Sequence, residues 1–371
     1  MHKTYASINL AALTHNLIQI RRYLANNCHI AAVVKANAYG HGAVDISQTL
    51  VKQGVSRLAV ASVSEGMTLR EVGITADILV LAELFDEHIP ELLLHRLTPV
   101  ITDQRLLQTM AKAAEAQNRS LPIHIKVDTG MGRLGFSPDD VVPLFDTLST
   151  LKSVHVEGVM THLADSDGPD CSHSERQLER FQKILDPIGR RGLSVPFVHA
   201  ANSAAIVRFP QSHFSLVRPG IMLYGYHTLP PNIASPALQP VLSLRTTVMQ
   251  VRTVKPGDSI SYNRTFVATR PTRIAVLPIG YADGYSRKLS NNGFVLLQSR
   301  RAPIAGSVCM DMTMVDVTDL GPVKVGDEAV LIGAQGQEAI GADEVARWAG
   351  TISYEILCAI GPRVPRLYQA T

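Results

Sequence analysis

The sequence predicts an α/β protein: an N-terminal (β/α)8 barrel of the TIM type, followed by a mostly-β C-terminal domain. Three observations predict it. Eight short apolar runs recur at about 31–34, 58–61, 78–81, 98–101, 123–127, 154–160, 197–199 and 215–217. Stretches of helical character separate them, and buried strands that alternate with helices in this number close most simply into a barrel. Beyond residue 235 the alternation stops, and strand-length segments follow one another at the intervals of an all-β module. A doubly wound open sheet is the alternative, but no GxGxxG follows the first barrel run, and the eightfold count favours closure.

The elements follow in order. Ile8 and Leu10 lead into Leu13, Leu17, Ile20 and Leu24, whose spacing of three and four marks an amphipathic helix. The strand before that helix stands outside the eightfold count and is free to pack with the C-terminal domain. "HGAVDISQTLVKQG", "DQRLLQTMAKAAEAQN" and "SHSERQLERFQKILDPIGRRG" read as helices, several opened by Ser or Asp caps and closed by Gly. Four prolines between 230 and 240, with no periodicity around them, read as a linker. Strand-like segments follow in "LSLRTTVMQVRTV", "RIAVLPIG", "GFVLLQ", "APIAGSVCM" and "EAVLIG". The boundary therefore falls between residues 1–235 and 236–371.

Composition limits the function classes. The chain has 371 residues, 46% hydrophobic and 18% charged, with a net charge of +3, which suits a globular enzyme and not a nucleic-acid binder. No basic n-region precedes an apolar run at the N-terminus, and no segment has membrane-spanning length; a cytoplasmic protein is expected. Cys28, Cys171, Cys309 and Cys358 are dispersed without a CxxC pair, so reduced thiols and no zinc site are expected. "HLADSDGPDCSH", residues 162–173, holds two histidines and three aspartates. Carboxylates so close on flexible backbone specify no ligand geometry, and the segment reads as a solvated loop with no metal.

In a barrel of this type the chemistry gathers in the loops after the strands. In "AAVVKANAYGHG", residues 31–42, Lys35 directly follows four apolar residues. Desolvation there lowers its pKa and frees the neutral amine for a Schiff base; a lone lysine more often simply snorkels to solvent. "KVDTGMGRLGF", His162, "HAANS" and "VRPGI" follow the fifth to eighth runs. Asn202 and Ser203 open a helix and Gly220 and Ile221 follow the eighth strand, together a ready anion site, although Ser203 alone reads as a plain N-cap. An aldehyde-accepting lysine facing a phosphate cradle points to pyridoxal 5′-phosphate. Arg218 stands where a pyridine nitrogen would reach it; an arginine keeps its proton, so the ring would stay unprotonated and be a weaker electron sink. An arginine paired with a carboxylate is the plainer reading of the same position.

These residues carry a resemblance. Through "AAVVKANAYGHG", "KVDTGMGRLGF", "HAANSA", "RPGIMLYG", "ISYNRTF", "GYADGY", "CMDMTMVDV" and "SYEILCAI" the chain resembles, essentially end to end, the bacterial alanine racemases, homodimeric pyridoxal-phosphate isomerases of the barrel-plus-β-domain class. The resemblance implies interconversion of L- and D-alanine, for cell-wall peptidoglycan synthesis or for alanine breakdown. It implies that Lys35 holds the cofactor and is one base, and that Tyr262, from the partner subunit, is the opposite base. His162, directed toward Arg218, would help to lower the tyrosine pKa. Arg133 and the Met310 amide would hold the substrate carboxylate. Tyr39, Ser203, Gly220, Ile221 and Tyr354 would bind the phosphate, Tyr281 and Tyr285 would narrow the entrance, and Lys126 would carry a carbamate that steadies Arg133, where an ordinary ion-paired lysine is the plain alternative.

Two departures bear on substrate breadth: Asn263 follows Tyr262 where the family often has Gly, and Leu163 follows His162 where Phe is common. A broad-specificity amino-acid racemase is therefore the nearest alternative, although such relatives are commonly exported. A non-catalytic pyridoxal-phosphate carrier has no use for Tyr262, and a basic-amino-acid decarboxylase would need an acidic pocket for a distal amine that the sequence does not display.

Overall fold

The computed structural model describes residues 3–190 and 195–369. Eight parallel strands, β2 (His29–Val33), β3 (Arg57–Ser62), β4 (Asp77–Glu83), β5 (Thr98–Ile101), β6 (Leu121–Lys126), β7 (Val154–Met160), β8 (Phe197–His199) and β9 (Leu216–Val217), form one sheet in the order β8-β7-β6-β5-β4-β3-β2-β9. The last seam is bridged where Ser215 N–H donates to the Val198 carbonyl at 3.2 Å and Arg218 N–H to that of Ala201 at 3.0 Å, so the sheet is a nearly closed barrel and not an open doubly wound one. Every apolar run of the sequence meets its strand to within two residues at each end. The match has a physical cause: parallel strands are covered on both faces, so Leu58, Ala59 and Val60 of β3 are all fully buried and read as an unbroken apolar run.

Helices α1 (Leu10–Arg21), α2 (Lys35–Tyr39), α3 (Ala43–Lys52), α4 (Val63–Glu71), α5 (Ile89–Leu94), α6 (Gln104–Ala116), α7 (Pro138–Leu148), α8 (Ser172–Arg190) and α9 (Ser203–Arg208) lie between the strands. In α6 the Asp103 carboxylate accepts from Leu106 N–H at 2.8 Å, and Leu106, Leu107, Met110, Ala111 and Ala114 form the buried stripe. Arg191 and Gly192, assigned by the sequence pattern to the end of α8, lie outside the described residues.

The C-terminal part is built from β10 (Leu242–Thr247), β11 (Gln250–Val254), β12 (Ser259–Ile260), β13 (Phe266–Val267), β14 (Thr272–Leu277), β15 (Phe294–Leu297), β16 (Arg300–Pro303), β17 (Thr313–Asp316), β18 (Glu328–Gln335), β19 (Glu338–Ile340) and β20 (Arg366–Gln369). Burial alternates along β10, with Leu242, Leu244 and Thr246 inward, as period-two patterning requires. β1 (Tyr5–Asn9) leaves the barrel altogether: it sits in this sheet between β10, antiparallel, and β20, parallel. "APIAGSVCM" is strand only as far as Pro303; the remainder is irregular chain leading to Met310. Two helices that the β-rich reading did not anticipate, α10 (Ala342–Ala349) and α11 (Ser353–Ala359), pack in series. The second of them brings the C-terminal part to the barrel mouth: a Cβ on Gly40, whose φ is +81°, would lie 2.2 Å from the Leu357 carbonyl oxygen.

Candidate active site

A cavity of about 450 Å³ opens at the C-terminal ends of the barrel strands and is lined by Lys35, Tyr39, Lys126, Arg133, His162, Ser203, Arg218, Gly220, Ile221 and Tyr354, among others. Ten residues scattered over the sequence thus converge on one concavity.

Lys35 leaves β2 on an unusual turn. Ala36, Asn37, Ala38 and Tyr39 have φ of 52°, 52°, 53° and 53°, a left-handed turn that costs roughly 1–2 kcal/mol per non-glycine residue. Neighbouring groups hold it. The Glu65 carboxylate accepts from Ala36 N–H at 2.6 Å and from Ala61 N–H at 2.7 Å. Asn37 Oδ1 accepts from Ala43 N–H at 2.8 Å, and the buried ring of His41 lies 2.8 Å from the Tyr39 carbonyl oxygen through Nδ1. Burial, then the charge of Arg133, lowers the pKa of Lys35, against the raising effect of Glu65. A lysine so shifted gives up its proton more readily than a free one.

Arg133 rides on a loop organised by Asp128. One carboxylate oxygen accepts from the amides of Gly130, Met131 and Gly132 at 2.9, 2.8 and 3.1 Å, and the other from that of Arg133 at 3.1 Å. Burial raises the Asp128 pKa, and these amides outweigh it, so the group stays ionised below its usual range. Lys126 ends β6 beneath this loop; burial, then Arg133 and Arg218, push it down to about 8. An amine that gives up its proton this readily is the nucleophile that attacks carbon dioxide, losing a proton from nitrogen as the carbamate forms.

Arg218 is buried at the cavity floor, donating from Nη2 to the carbonyls of Thr161 at 2.8 Å and Ala200 at 3.1 Å, with His162 Nδ1 at 3.3 Å. Burial lowers its guanidinium pKa to about 9, which leaves it charged at neutral pH. Burial, then the charges of Arg218, Arg133, Lys126 and Lys35, push His162 down to about 3. It is therefore neutral, and Nδ1 accepts from the arginine.

The opposite wall is rich in hydroxyls. Ser203 Oγ accepts from Gly220 N–H at 2.9 Å and Met222 N–H at 3.4 Å, and the Asn202 side chain caps α9 through Ala205 N–H at 3.0 Å. A Cβ on Gly220 would lie 2.5 Å from Tyr39 Oη, so a larger residue there would have to displace that buried phenol. The Tyr39 and Tyr354 rings pack at 5.9 Å between centroids; burial raises the pKa of both phenols, that of Tyr354 to about 12. Both remain protonated donors. Hydroxyls and amides in this density suit a phosphate, and the close approach that a Cβ at Gly220 would block fits a group lying flat against that wall.

Four of the residues singled out by sequence lie outside this cavity. Tyr262, Met310 and Tyr281 are 67%, 52% and 42% exposed, and Tyr285 is buried with its hydroxyl unpartnered. Sequence reasoning missed Glu65, Asp128 as the organiser of its loop, and Thr228 and Cys358 of the cavity wall. The two glycines after Asp128, both at positive φ, were the available signal for the loop; Glu65 carried none. Among the described residues no group of acidic, histidine or cysteine side chains has the arrangement of a metal site.

Fold and site define a barrel protein in which a desolvated lysine shares one cavity, at the C-terminal ends of the strands, with a wall of hydroxyls and amides. The family described as "Alanine racemase, N-terminal domain" matches residues 8–228, and "Alanine racemase, C-terminal domain" matches 241–368. An alanine racemase of Carboxydothermus hydrogenoformans is 45% identical over 99% of this chain and 100% of its own, and one of Halothermothrix orenii is 43% identical over 99% and 97%. The solved alanine racemase of Clostridium difficile 630 superposes with a TM-score of 0.94 at 34% identity, covering 100% of this chain and 96% of its own. That of a D-cycloserine-producing Streptomyces lavendulae reaches 0.95 at 34%, covering 100% and 98%. The chain belongs to the alanine racemase family. Its activity is the racemisation of alanine, an isomerase reaction that the family carries out with pyridoxal phosphate.

Proposed function

We propose that this cavity holds pyridoxal 5′-phosphate on Lys35 and that alanine is racemised between two bases, Lys35 and Tyr262 of the partner subunit. One observation carries the reading: Lys35, Arg133, His162, Arg218, Tyr39, Ser203 and Tyr354 line a single cavity, whereas Tyr262 stands exposed away from it. A second base that is absent from its own chain's cavity and open at the surface is placed to enter another copy's. The same holds for Met310, whose backbone amide would help Arg133 to hold the substrate carboxylate, and for Tyr281, with Tyr285 behind it, at the entrance.

Tyr39, Ser203, Gly220, Ile221 and Tyr354 would hold the phosphate, and Arg218 would serve the ring nitrogen. The bound aldehyde supplies an electron sink next to the substrate Cα. The protein does the rest. Arg133 fixes the carboxylate by charge-assisted hydrogen bonds, with Lys126 as a carbamate holding the guanidinium. Lys35 Nζ takes or returns the Cα proton on the face from which D-alanine loses it, and Tyr262 Oη does so on the other. Arg218 keeps its own proton and so would leave the ring nitrogen without one, which would make the cofactor a weaker electron sink and disfavour side reactions.

The test is an absorbance spectrum of protein loaded with pyridoxal phosphate, before and after borohydride, with circular dichroism of L-alanine and L-serine incubated with it. A visible band removed by borohydride, with L-alanine losing rotation much faster than L-serine, is expected. Equal loss for both would favour a broad-specificity racemase, since rejecting one added hydroxyl in a small pocket is difficult. A band with no loss of rotation would indicate a carrier.

A further inference from the structure

Barrels of this type are ordinarily filled by layers of apolar side chains. Here a column of polar groups runs the length of the interior instead. Arg218 Nη1 lies 2.8 Å from His199 Nδ1, His199 Nε2 lies 2.7 Å from His124 Nδ1, and His124 Nε2 lies 3.4 Å from Glu157 Oε2. Arg57 grips Glu157 at 3.3 and 3.0 Å and pairs with Asp77 at 3.1 Å. Arg57 and Asp77 begin β3 and β4, so the column ends at the face of the barrel opposite the cavity. Both histidines are fully buried. Packing fixes them: a Cβ on Gly158 would fall 2.2 Å from His124 Nδ1, and Phe197 stacks on His124 at 6.3 Å while the Arg57 guanidinium sits 3.8 Å from the Phe197 ring centroid.

Hydrogen-bond direction follows from one end. An arginine only donates, so His199 Nδ1 must accept and its proton sits on Nε2. That proton is donated to His124 Nδ1, so the His124 proton sits on Nε2 as well and is donated to the Glu157 carboxylate. The opposite assignment would set a His199 N–H against an Arg218 N–H. The carboxylate end agrees, since it can only accept: with Glu157 in place both ends of the column impose the same direction, and without it the His124 Nε2 proton has no acceptor.

We propose that Glu157 is a positioning residue for Arg218: acting through His124 and His199, it fixes both imidazole tautomers and so holds the guanidinium in place at the cavity floor. The proposal rests on the functional reading above only for what Arg218 faces there. Glu157→Leu removes the acceptor and permits the reversed tautomers, in which Arg218 must turn away from His199. Glu157→Gln keeps an oxygen for His124 and serves as the rescue.

With pyridoxal phosphate and saturating alanine, Glu157→Leu is expected to shift the visible absorption band and to lower kcat by about tenfold or more with little change in KM, while Glu157→Gln stays within about threefold of the native enzyme. A folded Glu157→Leu variant with native spectrum and kcat overturns the proposal. Neutron diffraction from the native protein tests it without any variant: deuterons on Nε2 of both His124 and His199 are required, and a deuteron on Nδ1 of either overturns it. If the native protein shows no visible band at all, the functional reading fails, and the neutron result alone decides the column.

Discussion

Asp128 shows what one side chain contributes to specificity. A single carboxylate accepts from four successive amides and so sets the loop that carries Arg133 into the cavity wall. Asp128→Ala leaves those amides without their acceptor, and we expect KM for alanine to rise and kcat/KM to fall by about 10–100-fold, because a displaced clamp loses both charge pairing and orientation. Steady-state kinetics check this, and an unchanged KM would show that the loop holds itself. At this scale the sequence was legible where position alone implies chemistry. Lys35 stands out because a charge follows four apolar residues. Tyr262 does not: nothing local distinguishes it from other exposed tyrosines, and only the family resemblance points to it.

At the scale of the element, the left-handed turn after Lys35 is the most revealing. Its sequence, Ala-Asn-Ala-Tyr, has no glycine until Gly40, so propensity alone assigns it to an ordinary helix. Tertiary contacts override that preference, chiefly the Glu65 carboxylate from α4, 29 residues from the Ala36 amide it accepts from. Ala36→Val puts a β-branched residue at a φ of 52° and should cost about 1–2 kcal/mol in a denaturant titration while lowering turnover. Ala36→Gly should be close to neutral, since relief of strain offsets the added chain entropy. If the two variants unfold at the same denaturant concentration, the turn is not strained.

For the whole molecule, two expectations follow. If each active site takes Lys35 from one subunit and Tyr262 from the other, a refolded equimolar mixture of the inactive Lys35→Ala and Tyr262→Phe variants should recover about one quarter of native activity, because half the dimers are mixed and each mixed dimer has one intact site. No recovery would place both bases in one chain. Acid stability is the second. His41 is pushed down to about 4 and His162 to about 3, burial being the main cause, and burial lowers His124 and His199 too. The unfolded chain protonates all four below about pH 6.5, so there it binds more protons than the folded state. Stability should be full above about pH 6.5 and decline as pH falls toward 4; thermal melts of the apoprotein at several pH values would read this, and a flat Tm from pH 7.5 to 4.5 would contradict it.

What the sequence by itself determined is the eightfold alternation, the strand-length segments that follow it, and the positions of Lys35, His162, Ser203 and Arg218 just after strands. These are legible because burial on both faces writes each parallel strand as an apolar run, and because barrel chemistry sits where such runs stop. Only the tertiary structure decided that β1 joins the C-terminal sheet, that Tyr354 and Cys358 of α11 reach the barrel cavity, that Glu65 and Asp128 hold the loops of Lys35 and Arg133, and that His124, His199 and Glu157 stand in one column. Those pairings join residues far apart in the chain, and no local pattern of polarity records which distant side chain will supply a buried donor with its acceptor.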